Sequence, residues 1–408
     1  MNFFKKNSWL IFSLLIFFIT RAYILKFPPP FYSDVFHDYR RYVNMWYSGL
    51  TPYLKHFYEY PPATLPLLYI PLLIKNLGLG HYYQNYRFQI FLFDFILFLF
   101  IFKAINKLKT KPLSKKLALG FYLLAPVIAK DFFYEGLDLV FIGSLSIAII
   151  SFLFFKKKEF LKRCFFWSFF WLSTSIKLMS APLLAPYFFL KKLKLKQEIK
   201  AIAIGFLLIW FIPLAIFRSS LSVMFVFHAN RGIKYASFPG YIVETINYFT
   251  QSETRINQPP DFQLTGPVSN VALQIVDKTF YLSIVLVLIY ALYIIFKHKN
   301  INYYKFSLKI ALIYIFTIFL TGKIFSQPFH LWYIPLIALF PFKSIKKQLV
   351  YILLGVWMLI LDTTPWITIN EMAIFINPVP WKFVTYSLRF LPMFILLKMS
   401  FKLPIKNK

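Results

Sequence analysis

Ala201-Ile202-Ala203-Ile204-Gly205-Phe206-Leu207-Leu208-Ile209-Trp210-Phe211-Ile212-Pro213-Leu214-Ala215-Ile216-Phe217 runs its whole length without a charged side chain. It approaches the roughly 17–25 residues with which an α-helix crosses a bilayer's hydrocarbon core. Outward from it, 8–25, 86–102, 137–155, 279–296, 306–321 and 348–361 are blocks of the same kind. Composition agrees, since 59% of the 408 residues are hydrophobic and 15% charged, against about 45–50% and about 25% in a soluble domain. The chain reads as all-α, a polytopic transmembrane helical bundle forming one integral membrane domain over 1–408.

The net charge of +31 raises the question of nucleic acid, and its distribution answers it. Basic residues sit in short runs between apolar blocks: Lys5-Lys6, Lys103 to Lys116, Lys156 to Arg163, Lys191 to Lys200, Lys297 to Lys305, Lys343 to Lys347 and the Lys-rich end. Short Lys/Arg-rich loops stay cytoplasmic, whereas a nucleic-acid surface needs its charges gathered on one polar domain. No nucleic-acid partner is expected. The N-terminus resembles a signal peptide but has no small-residue cleavage site before Arg21, so it reads as an uncleaved first span. The one cysteine, Cys164, excludes an intramolecular disulfide and reads as a buried apolar thiol.

Placing every basic run inside sets a parity condition. Span 8–25 leads out and Lys103 must lie inside, so only one of 61–77 and 86–102 can cross. Segment 61–77 holds Pro61, Pro62, Pro66 and Pro71; interior prolines remove hydrogen bonds and kink a helix. It is therefore laid along the outer surface, and 86–102 crosses with Asp94 turned to the protein interior. Alternation through 117–130, 137–155, 164–178, 180–190, 198–217, 279–296, 306–321, 328–342, 348–361 and 384–400 gives about 12 spans with both termini cytoplasmic. The outer segments are a first loop over 26–85, with amphipathic juxtamembrane helices, and a large loop over 218–278. Within the latter, 250–270 reads as a lid-like stretch.

Topology drawn from Lys and Arg also sorts the acids. Asp94 falls in a span, and Glu159 and Glu198 in basic loops. The rest, Asp34, Asp38, Glu59, Asp131, Glu135, Asp138, Glu244, Glu253, Asp261, Asp277, Asp362 and Glu371, fall in outer loops or at outer span ends. An acidic, extracytoplasmic centre assembled from several loops is expected.

In the first outer loop, Ser33-Asp34-Val35-Phe36-His37-Asp38 spaces two acids i, i+4, on one face of a helix. Capping of that helix by Ser33 or Asp34 is one reading. The other is a general base, since a carboxylate at an apolar boundary has a raised pKa. Gly49-Leu50-Thr51-Pro52-Tyr53 and Tyr58-Glu59-Tyr60-Pro61-Pro62 follow. Farther on come Glu135-Gly136-Leu137-Asp138, Lys177-Leu178-Met179-Ser180-Ala181-Pro182-Leu183-Leu184-Ala185-Pro186, His228-Ala229-Asn230-Arg231-Gly232 with Ser237, and Gly322-Lys323-Ile324-Phe325-Ser326-Gln327-Pro328.

Taken in order, these elements resemble the C-type superfamily of membrane glycosyltransferases, most of all the polyprenol-phosphate-mannose-dependent mannosyltransferases of glycosyltransferase family 87. The chain departs from that pattern at Ala236, where the family has Glu, and at Gln327-Pro328, where the order is exchanged. The resemblance implies a C-type bundle and an inverting transfer of a hexose, most simply mannose. The donor would be a polyprenyl-phosphate-linked sugar and the acceptor a glycan or glycolipid, both met at the lipid bilayer. It makes Asp34 the candidate catalytic base, with Asp38 one turn away as the alternative.

Substrate-binding candidates are Glu59, Tyr60, Asp138, Lys177, His228, Arg231, Lys323, Gln327 and His330. A departing phosphate needs cationic donors, which puts Arg231 and Lys323 first, with His228, Lys177 and His330 behind them. Snorkelling at a span end stands beside that role for Arg231 and Lys323, and a structural hydrogen bond leads for His330. Asp138 either orients a sugar or caps a helix. Tyr42, Trp46, Tyr53 and Tyr60 either stack on substrate or form an interfacial belt. No metal site or cofactor is expected, because Cys/His metal spacing, a Walker loop and a tight acidic pair are all missing. From another class, a transporter or lipid flippase would use Asp94 and the outer acids as an ion path. A third possibility is a non-catalytic assembly subunit that tolerates loss of Asp34.

Overall fold

The computed structural model describes residues 2–28, 33–154, 158–190, 193–252, 255–256, 263–363 and 380–406. Helix α1 (Asn2–Lys26) leads through a π-helical turn at Val35–Tyr39 into α2 (Arg40–Tyr47) and α3 (Thr64–Asn76). Then come α4 (Tyr82–Lys107), α5 (Pro112–Ile128), α6 (Asp138–Phe154) and α7 (Glu159–Ile176). A 3-10 turn at Leu178–Leu183 opens α8 (Leu184–Phe189), followed by α9 (Leu195–Phe217), α10 (Ser222–Asn230) and α11 (Phe238–Thr250). The last group is α12 (Pro267–Lys297), α13 (Tyr303–Thr321), a 3-10 turn at Gln327–Trp332, α14 (Tyr333–Leu339), α15 (Ile345–Thr363) and α16 (Pro380–Phe401). The strands β1 (Ile233–Lys234), β2 (Arg255–Ile256) and β3 (Gln263–Thr265) form one small antiparallel sheet in the order β1-β3-β2.

Among the described residues, five helical segments are long and apolar enough to cross a membrane: Ser8–Lys26, Tyr82–Lys107, Leu195–Asn230, Pro267–Lys297 and Tyr303–Thr321. The centre of the bundle is α13, buried from Phe306 to Leu320, beside α6, buried from Asp138 to Ser151. The periphery is inside-out. Leu208, Phe211 and Ile212 on α9 and Phe296 on α12 expose 61–71% of their surface. Each such side chain kept in water would forgo about 1.5–3 kcal/mol of burial, so these faces require an apolar solvent.

The buried carboxylates Asp94 and Glu198 are paired, as a low-dielectric interior demands of charges. Asp94 faces inward, as the sequence reading placed it: Arg21 Nε lies 2.8 Å from its Oδ2, and the Tyr122 and Tyr134 hydroxyls donate to it at 2.6 and 2.9 Å. Glu198 is held between Arg163 and the Trp167 indole, where α7 meets α9. Gly205 permits that approach, since a Cβ there would stand 2.6 Å from the Trp167 carbonyl carbon.

The proline-rich segment forms α3, which at about 1.5 Å per residue is near 20 Å long and shorter than the roughly 30 Å hydrocarbon core. Pro66 lies in its first turn, where a missing N–H costs little. Pro71 lies inside and deprives the Leu67 carbonyl of its helical donor; the Gln89 amide of α4 donates to that carbonyl at 2.9 Å instead. Two readings need correction. The stretch 218–278 is not simply a loop, because α10, α11, the sheet and the first turns of α12 occupy it. Cys164 is half-buried, not buried. Glu253, Asp261, Glu371 and most of 250–270's centre fall outside the described residues.

Candidate functional site

The first loop is folded by its own side chains. Gly49 ends α2 at φ +85°, which glycine adopts without strain. Tyr53 is held at φ +64° because its ring packs on Phe217 of α9 and its hydroxyl donates to the Tyr60 carbonyl at 2.5 Å. The Tyr58 hydroxyl bonds Thr64 Oγ1 at 2.6 Å, and Trp46 Nε1 donates to His56 at 2.7 Å. These aromatics do structural work and bring Glu59 and Tyr60 beside the start of the π-turn.

Asp34 opens that turn, where the Arg40 N–H reaches Val35 O. The wider π pitch is common at functional sites. Asp34 makes no capping hydrogen bond; the Val35 N–H goes to Ser33 Oγ at 3.3 Å. Ser33 in turn donates to Glu135 Oε2 at 2.5 Å, and Glu135 is paired with Arg87 Nε at 3.0 Å. Arg87 itself donates to the Ile24, Leu25 and Phe27 carbonyls at 2.9, 3.2 and 2.7 Å. A chain of buried contacts thus ties the end of α1, the head of α4 and the 129–137 turn to the residue preceding Asp34. Asp38, in the same turn, pairs with Arg41 at 3.2 Å.

Asp34 is exposed by surface area, yet burial is the main cause that lifts its carboxyl to about 6, with Asp38 and Asp138 raising it further and Lys177 and Lys234 opposing. The carboxylate therefore keeps contact with solvent while protein atoms crowd around it. Tyr39, Tyr60 and Tyr86 all stand within reach of its charge. Among the described residues, no side chain hydrogen-bonds to or pairs with the Asp34 carboxylate. The Glu59 carboxyl is pushed up to about 7, first by burial and then by Asp38 and Asp34, while Arg231 and a hydrogen bond from Tyr60 act the other way.

The distant motifs converge here. Asp138, the first residue of α6, accepts from Lys177 Nζ at 2.7 Å and from Trp332 Nε1 at 2.6 Å, both on Oδ1. The Lys177 ammonium also lies over the Phe329 and Trp332 rings, 5.0 and 5.5 Å from their centroids. The His228 ring bonds to the Glu59 backbone, with Arg231 and Lys177 as its charged neighbours, and Phe227 packs on Phe57. Arg231 ends α10 and lies over Phe227 at 5.3 Å. Asp34, Asp38, Glu59, Tyr60, Asp138, Lys177, His228 and Arg231 therefore form one electrostatic neighbourhood.

Three predicted residues stand apart from it. Lys323 is bound to Asp277 of α12 at 3.0 Å and to the Ala229 carbonyl at 2.9 Å, and its own carbonyl accepts from Lys234 N. Its position is next to Arg231's segment, but its charge is engaged in holding α12, α10 and β1 together. His330 pairs with Asp362, which Arg389 Nε approaches at 2.8 Å, and Gln327 donates to the Asp362 backbone at 2.9 Å. These two anchor the other face of the Gln327–Trp332 turn. Ser237 caps α11 by accepting from Gly240 N at 3.0 Å, and Ala236 lies in the apolar cluster under the sheet.

Sequence reasoning missed Arg87, Lys234 and Arg389. Arg87 and Arg389 carried a usable signal, being charges inside apolar helices; Lys234 carried none. Comparison with family models, curated proteins and solved structures finds no significant match to the chain.

Proposed function

We propose that the chain is an inverting membrane glycosyltransferase that moves a hexose from a polyprenyl-phosphate carrier to an extracytoplasmic glycan or glycolipid. The observation that carries this reading is Asp34, a carboxylate near Tyr39, Tyr60 and Tyr86 with a pKa pushed up to about 6 and, among the described residues, neither a capping duty nor a pairing partner. A general base needs this combination: geometry that leaves the oxygens accessible and a pKa near the working pH. As the acceptor hydroxyl oxygen bonds to the anomeric carbon, its proton passes to Asp34. The bond from that carbon to the phosphate oxygen breaks, and the electron pair leaves on the lipid phosphate. Arg231 and Lys177 supply positive charge on the same side of the bundle.

Segregation of the basic loops supports an extracytoplasmic position for the site. Nucleotide sugars are cytoplasmic, so a lipid-linked donor fits that side. Asp138, held by Lys177 and Trp332, and Glu59, near half-protonated at neutral pH, suit contacts to sugar hydroxyls. The transport reading loses force because Asp94, the intramembrane acid it would use, is engaged with Arg21 and two tyrosines. The test is reconstitution with labelled polyprenyl-phosphate hexose, comparing wild type with Asp34→Asn. Transfer by wild type and a loss on the order of 10²–10⁴-fold in the variant is expected. Undiminished transfer by Asp34→Asn would remove the base assignment. No transfer from any donor by wild type would favour transport or an assembly role.

A further inference from the structure

Helix α4 is longer than a bilayer core requires, near 39 Å at about 1.5 Å per residue, so its last turns reach headgroup depth. There it forms a groove of about 540 Å³ with the ends of α6 and α7. Phe100, Phe154 and Phe165 line the groove, with ring centroids 6.2 and 6.3 Å from Phe100 to the other two. Lys103, Asn106 and Lys107 stand at its mouth. The Lys107 ammonium is seated over the Phe154 ring at 4.2 Å, and no carboxylate among the described residues pairs with it or with Lys103. A ring face holds the cation in place but leaves its charge uncompensated, so the mouth presents fixed positive charge directly above an aromatic channel.

We infer that this groove is a binding site for an anionic phospholipid, with an acyl chain along the phenylalanines and the headgroup phosphate on Lys103 and Lys107. Charge complementarity selects the occupant: a zwitterionic lipid brings no net charge to match the two ammonium groups, and a free phosphate leaves the aromatic channel empty. Phe100 lies about two helical turns, roughly 10 Å, below Lys107, the separation of a phosphate from the first part of its chains. The site is at the basic end of the bundle and is independent of the proposed transfer chemistry.

The purified full-length protein, presented with phosphatidylglycerol or phosphatidylcholine of identical acyl chains, can be examined by native mass spectrometry. Wild type is expected to retain phosphatidylglycerol preferentially. Lys103→Gln/Lys107→Gln should lower that preference roughly thirtyfold, a factor of about five for each lysine. Lys346→Gln/Lys347→Gln removes the same charge from exposed positions elsewhere and should leave the preference unchanged. An unaltered preference in the first variant, an equal loss in the second, or none in wild type would each overturn the site.

Discussion

Asp94→Asn tests the most deeply buried charge pair. Asp94 and Arg21 are both 0% exposed, 2.8 Å apart, and enclosed by Phe17, Tyr122 and Phe133. Asparagine keeps the shape and one acceptor, which still serves one of the two tyrosine hydroxyls. Its amide nitrogen then faces donors, and Arg21 loses the one anion it pairs with among the described residues. Removing one partner of a buried pair costs about 3–5 kcal/mol, a shift of a hundredfold to on the order of a few thousandfold in the unfolding equilibrium. At the per-residue unfolding entropy of globular proteins, this lowers the melting midpoint by roughly 4–6 °C. Arg21 keeps its bond to the Leu123 carbonyl at 2.7 Å, which places the cost toward the lower end. The assay is the apparent melting temperature of purified protein for wild type, Asp94→Asn, Arg21→Met and the double variant. In the double variant no charge is left uncompensated, so it should be no less stable than the worse single variant. Additive losses, or an Asp94→Asn protein as stable as wild type, would refute the pairing and reopen Asp94 as an ion-path residue.

Other outcomes follow from the same contacts. Glu135→Gln keeps a hydrogen-bond acceptor but loosens Ser33, and a misplacement of about 1 Å in a reacting group costs on the order of 10²-fold; transfer should fall by about tenfold to a hundredfold while the rising limb of its pH profile stays near 6. Loss of that limb in Glu135→Gln, or its survival in Asp34→Asn, would contradict the separation of roles. Asp34 and Glu59 have folded-state pKa values near 6 and 7 against 3.8 and 4.5, so the folded state holds more protons between those limits. Their contribution to stability is complete below pH 4 and is lost as pH rises through 6 and 7; Asp34→Asn should raise the melting temperature more at pH 8 than at pH 4. Gln89→Leu leaves the Leu67 carbonyl without a donor and should destabilise by about 1–3 kcal/mol, whereas Gln89→Asn is expected to recover little, being one methylene too short.

The elements were legible because their cause is local. Apolar runs of spanning length form helices wherever they lie in lipid, and each block read from the sequence is helical in the structure. Parity allowed only one of 61–77 and 86–102 to cross, the prolines singled out 61–77 as the unsuited one, and its 13-residue helix is short. Three things were not legible there: that α12 begins at Pro267, that a three-stranded sheet forms, and that a side chain on the next helix satisfies Leu67. Each depends on partners distant in sequence, and periodicity carries no record of them.

The site divides along the same line. Motif order brought eleven residues into one candidate set; Asp34, Asp38, Glu59, Tyr60, Asp138, Lys177, His228 and Arg231 lie in one neighbourhood, and Lys323, Gln327 and His330 do not. The competing readings were decided by contacts that residue type cannot foretell. Asp34 is relieved of capping because the Phe36 and His37 N–H groups go to the Ser33 carbonyl, and Ser33 is fixed by Glu135, itself paired with Arg87 of α4. Lys323, ranked first with Arg231, and His330, ranked behind them, each meet a carboxylate, Asp277 or Asp362, apart from the Asp34 neighbourhood. Lys177 is paired as well, with Asp138, but that pair acts on the Asp34 charge, whereas Lys323 joins Asp277 of α12 to the Ala229 carbonyl of α10. Substitution of Lys323 should therefore disturb the seating of α12 before it disturbs chemistry.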